Sequence, residues 1–203
     1  HRRSSLTITL SIFPPKDFTV GLTSQNHASM QFTSTIGELN LVMRSEIMKE
    51  HLYHISLQWT GNNGRGTANY RTYDRSYEIE APEKPIIFGS SDPTFRGDQT
   101  KYNPEELLIA SLSSCHMLWY LHLCAEAGII VTKYCDRSVG KMTETEAGGG
   151  RFTEVILKPE IAIITENKLE LAQQLHAQSH ELCFIANSVN FPVLCQPLIT
   201  INN

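Results

Sequence analysis

No run of Lys or Arg, no Cys-x-x-Cys pair, no glycine-rich loop suited to phosphate and no internal repeat occurs in this 203-residue chain. Each absence excludes something. With a formal net charge of −4 and no basic cluster, the electrostatic footprint of a nucleic-acid-binding surface is missing. Without a Gly-rich loop after a strand there is no nucleotide fingerprint, and no haem or metal motif replaces it. The five cysteines (Cys115, Cys124, Cys135, Cys183 and Cys195) are odd in number and unpaired in spacing. In a chain too long to need disulfide staples, that pattern suits free or reactive thiols in a reducing compartment. The expectation is a soluble, cytoplasmic protein.

Charge is also missing from one stretch. Between Leu107 and Ala125 there is no Asp, Glu, Lys or Arg, over about the length of a membrane span. Ser111, Ser113, Ser114, His116 and His122 interrupt it, however, and neither flank offers a basic anchor. A buried helix is expected, with no membrane partner. Asn103 is placed to cap it, Pro104 to begin it, and Glu105 and Glu106 to sit beside the positive end of its dipole. Gly128 supplies a left-handed stop. Apolar residues lie on nearly every side, which predicts a helix buried all round.

The remainder is read around that helix. Residues 1–47 are Ser/Thr-rich, begin without Met and show no sustained period. They are expected to form a poorly ordered extension, with organellar targeting left open, ahead of a folded domain over 48–203. HLYHISLQWT (51–60) alternates like a strand, GNNGRG (61–66) signals a hairpin turn, GTANYRTYD (66–74) returns and SYEIEAP (76–82) continues. A turn-rich loop over 89–104 leads to the helix. After Gly128, strands are expected over 129–146 and 151–165, with a turn at Gly148–Gly150 between them. Leu169, Ala172, Leu175 and Leu182 mark a second helix over 167–183, and 191–201 closes as an edge-like strand limited by Pro192 and Pro197. This order is α+β, with antiparallel sheets around two helices.

Two blocks carry chemistry: NPEELLIASLSSC, with a carboxylate ten residues before a helical cysteine, and HELCFIANS, with a second cysteine late in the second helix. Together they resemble the OsmC/Ohr family of organic hydroperoxide reductases and osmotically induced relatives, in the same order of elements from Met48 to Asn203. The resemblance implies an OsmC-like fold in an intertwined homodimer and a thiol peroxidase acting on organic hydroperoxides. It implies Cys115 as the attacking thiol, Cys183 as the resolving thiol and Glu105 as the assisting acid. It further implies an external dithiol reductant, lipoyl groups among the candidates, and no bound cofactor or metal. Relatives carry an assisting Arg in the first hairpin turn. Here Asn62 or Asn63 stands there, leaving Arg65, Arg71 and Arg96 as candidates with Arg65 nearest, and Phe184 follows Cys183 where many relatives have Pro.

The chemistry constrains these roles. Only a thiolate attacks a peroxide, and an ordinary cysteine with a pKa of about 8.5 is mostly protonated near neutrality. Cys115 lies mid-helix, so a nearby cation is needed, and an Arg held bidentately by Glu105 is expected over it. Ten residues of helix rise about 15 Å, so either the helix breaks or Glu105 serves the other subunit's cysteine; a site completed across the dimer is favoured. Cys183, near a helix C-terminus, suits a resolving thiol, and Met117, Trp119 and Phe184 are expected to favour a bulky organic peroxide. Two other functions fit the scaffold: a non-catalytic dimer binding a hydrophobic small molecule, and a thiol redox sensor. Cys124, Cys135 and Cys195 are read as core or strand residues, Trp59 and Trp119 as core, and His116 and His180 as satisfied buried histidines. A zinc site built from Cys115, Cys183 and those histidines is not expected, because paired ligand spacing is absent.

Overall fold

In a computed structural model, residues 49–202 are described; the expected extension over 1–47 lies outside them. The chain begins with β1 (Ser56–Trp59), β2 (Tyr77–Glu80) and β3 (Ile87–Gly89), an antiparallel three-stranded sheet. The return strand is later than 66–74, which forms turns instead. The reason is local competition for the backbone. Asn62 Oδ1 accepts hydrogen bonds from the Gly64 and Gly66 amides, and Asn69 Oδ1 accepts from Arg71 N–H. Gly64 and Gly66 both take positive φ, of 84° and 53°, which a strand cannot use. Gly61 closes this loop against Asp74, whose carbonyl a Cβ at that position would strike.

The long helix α1 (Pro104–Glu126) is continuous and starts where the sequence places it. Asn103 accepts from Glu106 N–H at 2.8 Å while the Glu106 carboxylate accepts from Asn103 N–H at 3.1 Å, a reciprocal capping box. Asn103→Ala is expected to lower stability by about 1 kcal/mol, read by urea unfolding; an unchanged midpoint would mean the box contributes nothing. At the other end Gly128 turns the chain out at φ 63°. The helix is not buried all round. Only Leu112, His116, Tyr120 and Cys124 are fully buried, one stripe at every fourth residue, while Leu118 is 62% exposed. Within one chain the sheets and α2 (Leu169–Leu182) cover a single face of α1, so its other apolar residues meet solvent.

Six further strands make two more sheets. β4 (Val131–Asp136), β7 (Pro159–Ile163) and β9 (Leu198–Ile201) form one, in the order β4-β7-β9. β5 (Val139–Glu144), β6 (Gly150–Leu157) and β8 (Val193–Cys195) form the other, in the order β5-β6-β8. Each stretch read as one strand is thus two, broken at Arg137-Ser138, at Lys158 and at Gln196-Pro197. The breaks are in register: Asp136 Oδ1 accepts from Lys158 N–H at 2.7 Å, and Gln196 N–H donates to the Leu157 carbonyl at 2.8 Å. β4 and β5 pair antiparallel with β7 and β6, whereas β8 and β9 pair with β6 and β7 in parallel, because the chain crosses back through α2 before returning.

Two apolar clusters hold the helices on these ribbons. Tyr120 and Cys124 pack with Ile129, Ile161, Ile163, Ala172 and Leu175, and Leu112 packs with Val155 and Leu157. His116 lies between Leu112 and Tyr120 on the same stripe, so a polar group separates the clusters. Trp59 is not core: it is 40% exposed, and its Nε1 donates to the Asp74 carbonyl at 2.8 Å.

Candidate functional site

Helix α2 buries Ala172, Leu175, His176 and Ser179, and this stripe ends on Cys183, the C-cap residue just past its last turn. Cys115 is half-buried midway along α1. Packing of the two helices brings the two thiols, 68 positions apart in the sequence, close to one another. Both are free, and the Cys183 thiol feels the Cys115 thiol as a hydrogen-bond neighbour and as a charge.

Their surroundings differ. Cys183 is 1% exposed. Burial first, then the contact with Cys115, pushes its thiol up to about 11, against which a weak hydrogen bond from Ala186 N–H to Sγ at 3.4 Å pulls only slightly. The backbone N–H of Cys183 donates to the His180 carbonyl, and the Ala186 and Ile185 amides that favour its thiolate are outweighed by burial and by Cys115. Trp119, one turn beyond Cys115, meets the ring of Phe184 edge to face at 5.9 Å, and Phe184 remains 67% exposed. The dithiol therefore sits beside an apolar aromatic rim. Met117 stands apart from it and lines a cleft of about 460 Å³ on another flank of α1, with Ile109, Ser113, Tyr134 and Arg137.

Glu105 lies in the first turn of α1, away from Cys115 along an unbroken helix. Its Oε2 is buried without a hydrogen-bond partner. Tyr77 on β2 is raised by burial and then by the nearby Glu105 charge, so the carboxylate faces the N-terminal sheet. Arg65 is exposed in the loop between β1 and β2. Among the described residues, no ion pair or hydrogen bond joins Arg65, Arg71 or Arg96 to Glu105 or Cys115. A fourth arginine, not singled out from the sequence, is the fixed one: Arg75 lies over the rings of Tyr70 and Tyr73 at 4.1 and 4.2 Å and donates to their carbonyls. It holds the loop rather than a thiol. The structure thus joins Cys115 to Cys183 and leaves Glu105 and Arg65 apart from them within one chain.

A second group was not legible in the sequence. His116 Nε2 and His176 Nδ1 face one another at 3.0 Å, and Cys195 Sγ stands 3.6 and 3.7 Å from those atoms. Burial pulls His116 down to about 4 and His176 to about 3, and pushes the Cys195 thiol up to about 12, so the rings are neutral. His180 is not part of this group. The three residues are separated by 60 and 19 positions, so no local spacing announces them.

Two helices packed on broken three-strand ribbons in an α+β chain make the OsmC-like fold. The family model described as OsmC-like protein matches residues 97–196. An OsmC-like protein of unknown function from Vibrio cholerae shares 29% identity at a TM-score of 0.66, covering 74% of this chain and 100% of that one. Over residues 97–196 the chain is similar to OsmC-like proteins, and it shares their fold. The same fold is seen in an organic hydroperoxide resistance protein from Elizabethkingia anophelis (20% identity, TM-score 0.54, covering 76% and 100%). It is seen again in a putative osmotic stress induced and detoxification response protein from Psychrobacter arcticus (16%, TM-score 0.55, covering 75% and 98%). No curated protein sequence matches the chain.

Proposed function

We propose that the protein is a thiol-dependent peroxidase that reduces organic hydroperoxides to alcohols. The observation that carries this reading is the proximity of two free thiols of unequal burial, Cys115 half-buried and Cys183 fully so. The Cys115 thiolate attacks the terminal peroxide oxygen, the O–O bond breaks, and the alkoxide leaves as alcohol after taking a proton. Cys115 is then a sulfenic acid. Cys183 attacks its sulfur, water departs, and a Cys115–Cys183 disulfide forms. An external dithiol, of the lipoyl type or another, returns two electrons and releases both thiols. No bound cofactor enters this cycle.

The unpartnered Glu105 Oε2 supports a guanidinium clamp, since a buried carboxylate oxygen calls for a donor. In this reading Glu105 and an arginine, Arg65 first, act on a cysteine across a homodimer. Exposed Leu57 and Phe88 on the N-terminal sheet (59% and 53%) and Leu118 on α1 support self-association. The protein is read as cytoplasmic, its substrates being organic peroxides and a thiol reductant. Steady-state consumption of an alkyl hydroperoxide with excess dithiol tests the activity; turnover no faster than dithiol alone would sink it.

A pH dependence follows from Cys183. Its thiol, raised to about 11, is mostly protonated near neutrality, and only its thiolate closes the disulfide. The closing step is therefore expected to quicken about tenfold per pH unit between about pH 6 and pH 9. Rapid quenching with a sulfenic-acid trap would read this, and a flat profile would show that Cys183 is not the attacking group. One observation favours a second reading: among the described residues no Lys or Arg side chain donates a hydrogen bond to Cys115. A non-catalytic dimer holding a hydrophobic small molecule against Trp119 and Phe184 would need none. Such a protein would retain its ligand in Cys115→Ser, whereas the peroxidase would lose its activity.

A further inference from the structure

We propose that His116, His176 and Cys195 form a binding site for one d¹⁰ metal ion, zinc(II) or copper(I), that ties α1, α2 and β8 together. The three donor atoms come from three elements and all lie within 4.8 Å of one another. Zinc–nitrogen and zinc–sulfur bonds of about 2.0 and 2.3 Å at tetrahedral angles would set nitrogens about 3.3 Å apart and each nitrogen about 3.5 Å from sulfur. The observed separations are 3.0, 3.6 and 3.7 Å. The two nitrogens must open slightly and both rings must turn by some tens of degrees to aim their lone pairs at the ion.

An ordinary histidine hydrogen bond accounts for less. The imidazole planes are within 5° of parallel with centroids 5.3 Å apart, so the nitrogens meet nearly head-on with a proton between them. That proton satisfies one atom of each ring. It gives no reason for a thiol to stand almost equidistant from both. Nor does it explain the polar shell. Two buried phenol hydroxyls beside the group, those of Tyr120 and Tyr134, have no hydrogen-bond partner of ordinary geometry among the described residues. Tyr120 is 0% exposed, stacks on His176 at 4.0 Å, and both phenols feel the Cys195 thiol electrostatically. Two neutral imidazoles and one thiolate are a soft-to-borderline donor set that suits zinc or copper(I) and not magnesium or calcium. Copper(I) accepts three donors, and zinc takes a fourth, for which a water between the phenols is the natural supply.

The exchange balances. Cys195 gives its proton to solvent as the metal–sulfur bond forms, the ion itself making ionisation favourable despite burial. The proton between the rings moves to the distal nitrogen of whichever ring held it, and both rings turn so that their lone pairs point toward the sulfur side. Partial exposure of Cys195 leaves a path for entry. The ion would be structural: His116 is Cys115's neighbour in sequence, but it lies on the buried stripe of α1.

The full chain, reduced and stripped with a chelator, would be titrated separately with zinc(II) and with copper(I) against a chromophoric competitor. Uptake of one ion per chain is expected, with X-ray absorption showing one sulfur and two imidazole scatterers and with a raised thermal midpoint. Cys195→Ser and His176→Gln should each weaken binding by at least about a hundredfold, since loss of groups outside the first ring of ligands already costs 10–100-fold. Cys115→Ser and Cys183→Ser should bind as the parent does. Loss of binding in Cys115→Ser or Cys183→Ser, or failure to hold either ion against the competitor, overturns the assignment. If the Cys195 and His176 variants do not fold, the scatterers in the parent decide it: two sulfurs would place the ion at the Cys115–Cys183 pair instead.

Discussion

Cys115→Ser is expected to abolish peroxide reduction, lowering the rate by on the order of 10³-fold or more, because the hydroxyl that replaces the thiol is neither ionised near neutrality nor strongly nucleophilic. The change removes little volume, and Cys115 is only half-buried, so the fold should persist and its unfolding midpoint should barely move. The contrast with Cys183 sharpens the test. Cys183→Ser keeps the attacking thiol and removes the resolving one. A single peroxide should still be consumed, leaving Cys115 as a trappable sulfenic acid gaining one oxygen by mass. A Cys115→Ser protein that retained a tenth of the parent rate would transfer the chemistry to another thiol.

The second large effect falls on stability. Leu112→Ala is expected to cost about 3 kcal/mol or more, within the range for buried leucines whose surroundings cannot collapse. Leu112 is 0% exposed and packs on Val155 and Leu157, with Ile185 and Ala186 against the same cluster. Those last two residues lie two and three positions after Cys183, so the cavity would open under the turn that follows the proposed resolving thiol. Urea unfolding would read the loss. A change under about 1 kcal/mol would mean that this cluster relaxes freely and does not brace the turn.

What could be read in advance was what rests on local rules. The cap at Asn103, the stop at Gly128 and the second helix ending on Cys183 are short-range chemistry and appear as expected. The nearness of Cys115 to Cys183 is long-range in the chain, and what suggested it was the resemblance of two sequence blocks to the OsmC/Ohr family, not periodicity. Other features depended on tertiary structure. Each long apolar stretch looked like one strand because period alone cannot show where a ribbon bends; the bends align through Asp136, Lys158 and Gln196, which pair only after the ribbons meet. The loop over 66–74 was misjudged because Asn62 and Asn69 hold its backbone in turns that alternation does not register. His176 passed unnoticed beside Leu175, since a histidine on an apolar stripe gains meaning only when His116 and Cys195 arrive from other elements.

The central claim is that Cys115 and Cys183 form one redox unit, and stopped-flow oxidation of the reduced protein by an organic hydroperoxide, with mass mapping of the product, tests it most directly. The expected result is rapid loss of two thiols per chain, recovered as a single Cys115–Cys183 disulfide. Slow oxidation, or a disulfide mapped to any other pair, would contradict it.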